Sequence, residues 1–215
     1  MKITQGTFSF LPDLTDDEIR AQIANMQTVT SSAVGAIRNI GATITEINEV
    51  TMAIAAAVEE GRSIYENIRK AVHYLLSCNL SEVLVMLGST LLGWPLPLLP
   101  IHILWINLVT DGFPALALAV DPKDPDVMKR PPRDPKAPLL DRQRFVTVCV
   151  QGAVMAAATL AVFGIALSFM NDEVTIARTM TFSTLVLVQF LHAFTCRHER
   201  FSLLQIGITT NRMLV

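Results

Sequence analysis

The sequence predicts an all-α polytopic membrane protein, four transmembrane helices preceded by an amphipathic heptad-type helix. Three observations carry that reading. The 215 residues are 51% hydrophobic and only 17% charged, with a mean hydropathy of +0.44, more apolar than an ordinary soluble domain. Four apolar runs, roughly 71–92, 98–120, 145–169 and 179–196, each have the length of a membrane-crossing helix. Basic residues are concentrated in alternate connections between those runs.

The chain is expected to open with an irregular segment, 1–18. It is polar and contains Pro12 and Asp13, so no secretory signal is read there and insertion is expected to rely on internal spans. Residues 19–60 follow a heptad beat. Ile19, Ile23, Met26, Thr30, Ala33, Ile37 and their successors to Ile54 and Val58 are spaced by fours and threes, the a/d pattern of a coiled-coil or bundle helix. Thr15 and Glu18 give a capping box at its start. Ser31, Ser32 and Gly41 lower its intrinsic propensity, so packing against a partner has to supply stability. Residues 1–60 hold three basic and eight acidic residues; the remainder holds 14 and 11.

Residues 61–215 form the four-span domain. GWPLPLLP, Gly93 to Pro100, reads as a tight uncharged hairpin, so the first two spans pack antiparallel. Pro100 and Pro114 lie near the ends of the second span, where protein or a cavity must surround the interrupted backbone. The connection from Asp121 to Arg144 is proline-rich and carries seven basic residues. The connection around Asn171 to Glu173 is short and acidic. Arg62, Arg69 and Lys70 precede the first span; Arg197, Arg200 and Arg212 follow the fourth. By the positive-inside rule both termini and the middle loop face the cytoplasm.

Polar residues inside the spans are the candidate site. Asn107, Thr110 and Asp111 stand at i, i+3 and i+4, and Asn79 and Glu82 at i and i+3, spacings that put each set on one helix face. A charged carboxylate at the bilayer centre costs about 2.5 kcal/mol or more. Two brought together repel unless a cation or a proton intervenes. Carboxylate, amide and hydroxyl oxygens are what calcium takes; no convergent nitrogen and sulfur set argues for zinc or copper. For a lone Asn or Thr, a helix-gluing hydrogen bond is the simpler role. Two carboxylates with three polar neighbours point to an ion or proton pathway. His73, His102, His192 and Cys196 read as interfacial or packing residues, and Cys78, Cys149 and Cys196 as small buried ones outside any disulfide framework.

EEGRSIYENIRKAVHYLLSCNLSEVL and LLPIHILWINLVTDGFPALALAVDPKDPDVM, with ARTMTFSTLVLVQFLHAF and CRHERFSLLQIGITTNRMLV, closely resemble the carboxy-terminal membrane region of P-type calcium-transporting ATPases over about 57–215. The resemblance implies that the four spans match the family's fifth to eighth helices. It makes Asn79, Glu82, Asn107, Thr110 and Asp111 ligands of calcium, or of manganese as another hard cation, with Asp111 shared between two ion positions. Gln189 stands where two-ion pumps place a glutamate, so it is either an uncharged ligand or a packing residue. The family's DKTG, TGE, GDGxND and PEG motifs do not occur in these residues. The chain by itself is therefore expected to have no nucleotide site and to hydrolyse no ATP.

AIRNIGATITEINEVTMAIAAAVEE, within about 23–60, resembles the signalling helix of methyl-accepting chemotaxis receptors, and MKITQGTFSFLPDLTDDEI, within about 1–22, resembles the amino-terminus of a red-type Rubisco small subunit. The resemblances meet at the shared words DEIRAQIA and AAAVEEG, which reads as a chimera. The expected setting is a bacterial plasma membrane. The expected partners are the lipid bilayer with either the remaining pump segments or a self-associating helix, and no nucleic acid. The alternative function is a membrane-anchored coiled-coil interaction module, or a chimera without function.

Overall fold

The computed structural model describes residues 15–132, 134, 138–169, 174–197 and 211. The opening segment 1–14, the acidic connection around Asn171 to Glu173, and Arg133, Lys136, Arg200 and Arg212 lie outside the described residues. Among the described residues every regular element is helical. The helices are α1 (Asp16–Leu91), α2 (Pro100–Trp105), α3 (Gly112–Ala119), α4 (Arg142–Phe169) and α5 (Val174–Cys196), with a π-helical turn at Ile106–Thr110 and a 3-10 turn at Val127–Lys129. Four helical stretches are long and apolar enough to cross a membrane, the second of them running from Pro100 to Ala119.

The chain divides into two compact units between Ala57 and Val58. In the first, the α1 residues expose the heptad positions: Ile37, Ile40, Ile44, Ile47 and Ile54 are each more than half exposed. The start of α1 makes half of the expected capping box. The Thr15 N–H donates to Glu18 Oε2 at 2.8 Å, while the Thr15 hydroxyl donates to the same oxygen at 2.9 Å instead of accepting from the backbone.

In the second unit, α1 ends at Leu91 and is closed by Gly93. Its φ of +69° is left-handed, a region open to a residue without a Cβ. Trp94 N–H donates to Ser89 O and Gly93 N–H to Thr90 O, at 2.9 and 3.1 Å, which is a Schellman closure. Trp94 then packs edge-on against Phe163 of α4, ring centroids 6.0 Å apart. Pro100 opens α2, where its missing N–H is harmless, and His102 Nδ1 accepts the Leu99 N–H at 3.4 Å. The ring of His102 lies 5.1 Å from that of Phe182, a packing contact.

Close approach of α1 and α4 depends on small residues, as expected where lipid offers little hydrophobic drive. A Cβ on Gly152 would sit 3.1 Å from both the Leu80 side chain and the Ser77 carbonyl oxygen. Three apolar clusters close the unit. Tyr74, Cys78, Leu118 and Ala193 form one; Val85, Leu98, Ile106, Ala156 and Leu185 the second; Phe163, Ala166 and Ala177 the third.

The connection after α3 is tied down by charge. Asp121, 4% exposed, accepts from Lys70 Nζ at 3.1 Å, from Arg197 Nε at 3.1 Å and from Asn211 Nδ2 at 2.8 Å. Its backbone oxygen accepts from Asn67 Nδ2 at 2.7 Å. Arg130 pairs with Asp124 and Asp126 at 2.9 and 3.0 Å, and Arg62 donates to the Val127 and Arg130 carbonyls.

Candidate functional site

The polar groups inside the spans are positioned by α1, the π turn and α5. Glu82 lies on α1 and is 4% exposed. Asn107 Nδ2 donates to its Oε2 at 2.8 Å, and Gln189 Nε2 of α5 donates to its Oε1 at 3.0 Å. One carboxylate thus joins three helical stretches.

Asp111 lies one residue past the π turn and is 1% exposed. The turn is defined by Asp111 N–H donating to Ile106 O at 2.9 Å, five residues back rather than four. It places one residue more in the turn than the α-helical spacing assumed. Thr110 and Asp111 are buried, whereas the more exposed Asn107 reaches Glu82 with its side-chain tip. The expected single helix across 98–120 is interrupted here. Such π turns occur preferentially at functional positions.

Four buried oxygens of Thr110, Asp111 and Gln189 have no hydrogen-bond partner: Asp111 Oδ1 and Oδ2, Thr110 Oγ1 and Gln189 Oε1. The Tyr74 hydroxyl and the Cys78 thiol lie beside Asp111, but neither meets hydrogen-bond geometry with its carboxylate; the tyrosine donates to Thr110 O at 3.3 Å. Buried polar atoms are ordinarily paired, so a cluster of bare acceptors is a place for an electrophile. The bare atoms of Thr110, Asp111 and Gln189 are all oxygens and the charge acting on Asp111 is the Glu82 carboxylate, which suits a hard cation and repels an anion.

Asn79 stands apart. It is exposed, and its amide donates to the Leu75 carbonyl of its own helix at 2.8 Å. The structure therefore draws Glu82, Asn107 and Gln189 together by hydrogen bonds, buries Thr110 and Asp111, and leaves Asn79 turned back on α1. Tyr74 was not singled out in the sequence. Its spacing of eight residues from Glu82, two helical turns, was the available signal.

Comparison with known proteins shows the family. A family model described as "Cation transporting ATPase, C-terminus" matches residues 95–215. The calcium-transporting ATPase of Bacillus subtilis (strain 168) is 49% identical over 146 residues, covering 68% of this chain and 16% of that protein. Calcium-transporting ATPase 1 of Bacillus cereus (strain ATCC 10987 / NRS 248) is 42% identical over 177 residues, covering 75% of this chain and 20% of that protein. The chain thus spans a fifth or less of the length of these relatives. With the match extending over more than half of its residues, the chain is an integral membrane protein that belongs to the cation-transporting ATPase family and carries its carboxy-terminal region.

Proposed function

We propose that this chain carries the ion-translocating part of a calcium-transporting ATPase, with Glu82, Asn107, Thr110, Asp111 and Gln189 as calcium ligands and Asn79 recruited by rotation of its side chain. The observation that carries this is Asp111, a buried carboxylate whose two oxygens are both unpartnered. Calcium, or manganese as a second hard cation, would accept those lone pairs together with the free oxygens of Thr110 and Gln189. Gln189 brings an oxygen without a charge, which favours a single ion over two. The relatives named above are calcium-transporting ATPases by description.

Both termini and the Asp121–Arg144 connection are assigned to the cytoplasm of a bacterial cell by their basic residues. The residues given contain no DKTG phosphorylation motif, so the ligand cluster is a binding site whose driving machinery would come from other pump segments. Calorimetric titration of the purified chain in detergent tests the reading. Calcium should bind, and Glu82→Gln and Asp111→Asn should each weaken it by about tenfold or more, since ligand charge sets affinity. Unchanged affinity in both variants would sink it. Steady ATP hydrolysis by the pure chain, lost in Asp111→Ala, would overturn the passive role.

Residues 1–18 and 19–60 are read as a separate front module joined to 61–215, a chimeric arrangement. The division between Ala57 and Val58 supports this, because it falls inside the shared word AAAVEEG. The exposed isoleucines from Ile37 to Ile54 support a coiled-coil pairing of this module with a second copy. Cysteines placed at Ile40 and Ile47 should crosslink chains under oxidation; the absence of crosslinked dimer would remove the coiled coil.

A further inference from the structure

His73 of α1 and His192 and Cys196 of α5 are each 7% exposed. One donor atom from each lies within 4.8 Å of the other two. His192 and Cys196 are four residues apart on one helix face, and the Cys196 Sγ lies 3.3 Å from His192 Nε2.

The hydrogen bonds assign a tautomer to both imidazoles. His73 Nε2 is 2.6 Å from the Gln151 side-chain oxygen. A carbonyl oxygen only accepts, so Nε2 carries the proton and Nδ1 keeps its lone pair. That Nδ1 is buried and has no hydrogen-bond partner. The Thr195 hydroxyl donates its single proton to the His192 carbonyl at 2.7 Å. Its oxygen can therefore only accept from His192 Nδ1, 3.0 Å away. This leaves His192 Nε2 with its lone pair; the cysteine sulfur, 3.3 Å from Nε2 and 4.0 Å from Nδ1, lies beside the ring and off that lone pair's axis. Metal-bound histidines have this pattern: an oxygen takes the N–H of one ring nitrogen and orients the other. A packing role gives no reason to bury a bare Nδ1, which costs about 1–3 kcal/mol.

We infer that His73, His192 and Cys196 form a site for a borderline transition-metal cation of the Zn2+ class, separate from the oxygen cluster at Glu82 and Asp111. Two imidazoles and a thiolate suit Zn2+ and are poor ligands for Ca2+. Zinc–nitrogen and zinc–sulfur bonds of about 2.0–2.3 Å put tetrahedral ligands roughly 3.3–3.7 Å apart. The His192–Cys196 pair already has that spacing; binding requires the Cys196 side chain to turn toward the Nε2 lone pair and His73 to close the remaining gap by a small side-chain rotation. The thiol proton leaves to solvent as the zinc–sulfur bond forms. The fourth position is open to water. The bound cation joins α1 to α5, the two helices whose Glu82 and Gln189 side chains are hydrogen-bonded.

The test uses the full chain in detergent, with Co2+ as the spectroscopic probe and Zn2+ as competitor. One cobalt should bind per chain with a thiolate-to-metal charge-transfer band that Zn2+ displaces and Ca2+ does not. Cys196→Ser should abolish the band. His73→Gln should weaken binding, and Gln151→Leu should weaken it by about 10–100-fold with the band retained, the range for a ligand-orienting partner. Glu82→Gln should leave the band intact, so failure of this site and failure of the calcium site are read separately. In the unaltered chain Zn2+ should slow alkylation of Cys196 but not of the half-buried Cys149. Absence of both the band and the protection, or a band insensitive to His73→Gln, overturns the inference.

Discussion

Gln189 donates to Glu82 Oε1 at 3.0 Å, joining residues 107 positions apart in the sequence. That bond and the one from Asn107 are what hold a carboxylate in the interior of the bundle. Gln189→Leu should cost about 1–3 kcal/mol, because a Glu82 oxygen then loses its donor while staying buried. Gln189→Glu should lower the melting temperature in chelator and enlarge the rise produced by calcium, since two carboxylates in contact need a cation between them. Thermal melts in detergent with and without calcium read both.

Asp111 is placed for binding at the expense of stability. Its two bare oxygens make the unliganded site unfavourable. Asp111→Asn should therefore raise the melting temperature in chelator and remove the calcium-dependent increment. A variant that loses stability in chelator would contradict the assignment.

Asp121 should be the most sensitive charged position at its end of the bundle. Lys70 and Arg197 both pair with it, at side-chain exposures of 10% and 1%. Asp121→Ala removes the carboxylate that Lys70 and Arg197 share, leaving Lys70 its weaker pair with Asp124 at 3.6 Å, and should cost about 3 kcal/mol. Limited proteolysis within the Asp121–Arg144 connection, together with the melting temperature, would show it.

Gly164 is required by Trp94. A Cβ there would sit 2.5 Å from the indole ring, so Gly164→Ala should cost about 1–3 kcal/mol by overpacking. In the background of Trp94→Ala the same substitution should be nearly neutral. A double-mutant cycle by chemical denaturation measures the coupling.

Glu18 should make the start of α1 sensitive to acid. The Thr15 N–H first, and the Thr15 hydroxyl second, hold its carboxyl below the ordinary 4.5. Its capping contribution is present above that value and lost as pH falls through the lowered one. Side-chain carbon chemical shifts of Glu18 should titrate below those of an unpaired glutamate, and Thr15→Ala should return them to the ordinary range.

The spans were legible because length, apolarity and basic flanks report on the bilayer, not on neighbours. The apolar interior positions of Glu82 and Asp111 were legible for the same reason. What was not legible was phase. A reading at 3.6 residues per turn puts Asn107, Thr110 and Asp111 on one face, and the winding there is a π turn instead. Contacts between distant elements were hidden as well: His73 and His192 looked like packing residues because nothing local shows that they meet. Counting the basic residues of the middle connection missed that Asp124 pairs with one of them, Arg130, and that Asp121 pairs with Lys70 and Arg197 from outside the connection. Gly93 before a proline-rich hairpin was the one turn whose left-handed residue composition alone could point to.

The π turn at Ile106–Thr110 holds one residue in excess of α-helical winding. That surplus is a stored register shift. If it migrates by one turn along the chain, each side chain it passes swings by roughly 100° about the helix axis and advances about 1.5 Å. The ends of the span need not move. Asp111 sits at the border of that surplus, so its carboxylate can be turned between α1 and α5 by local rewinding alone, a pivot that an unbroken α-helix would lack.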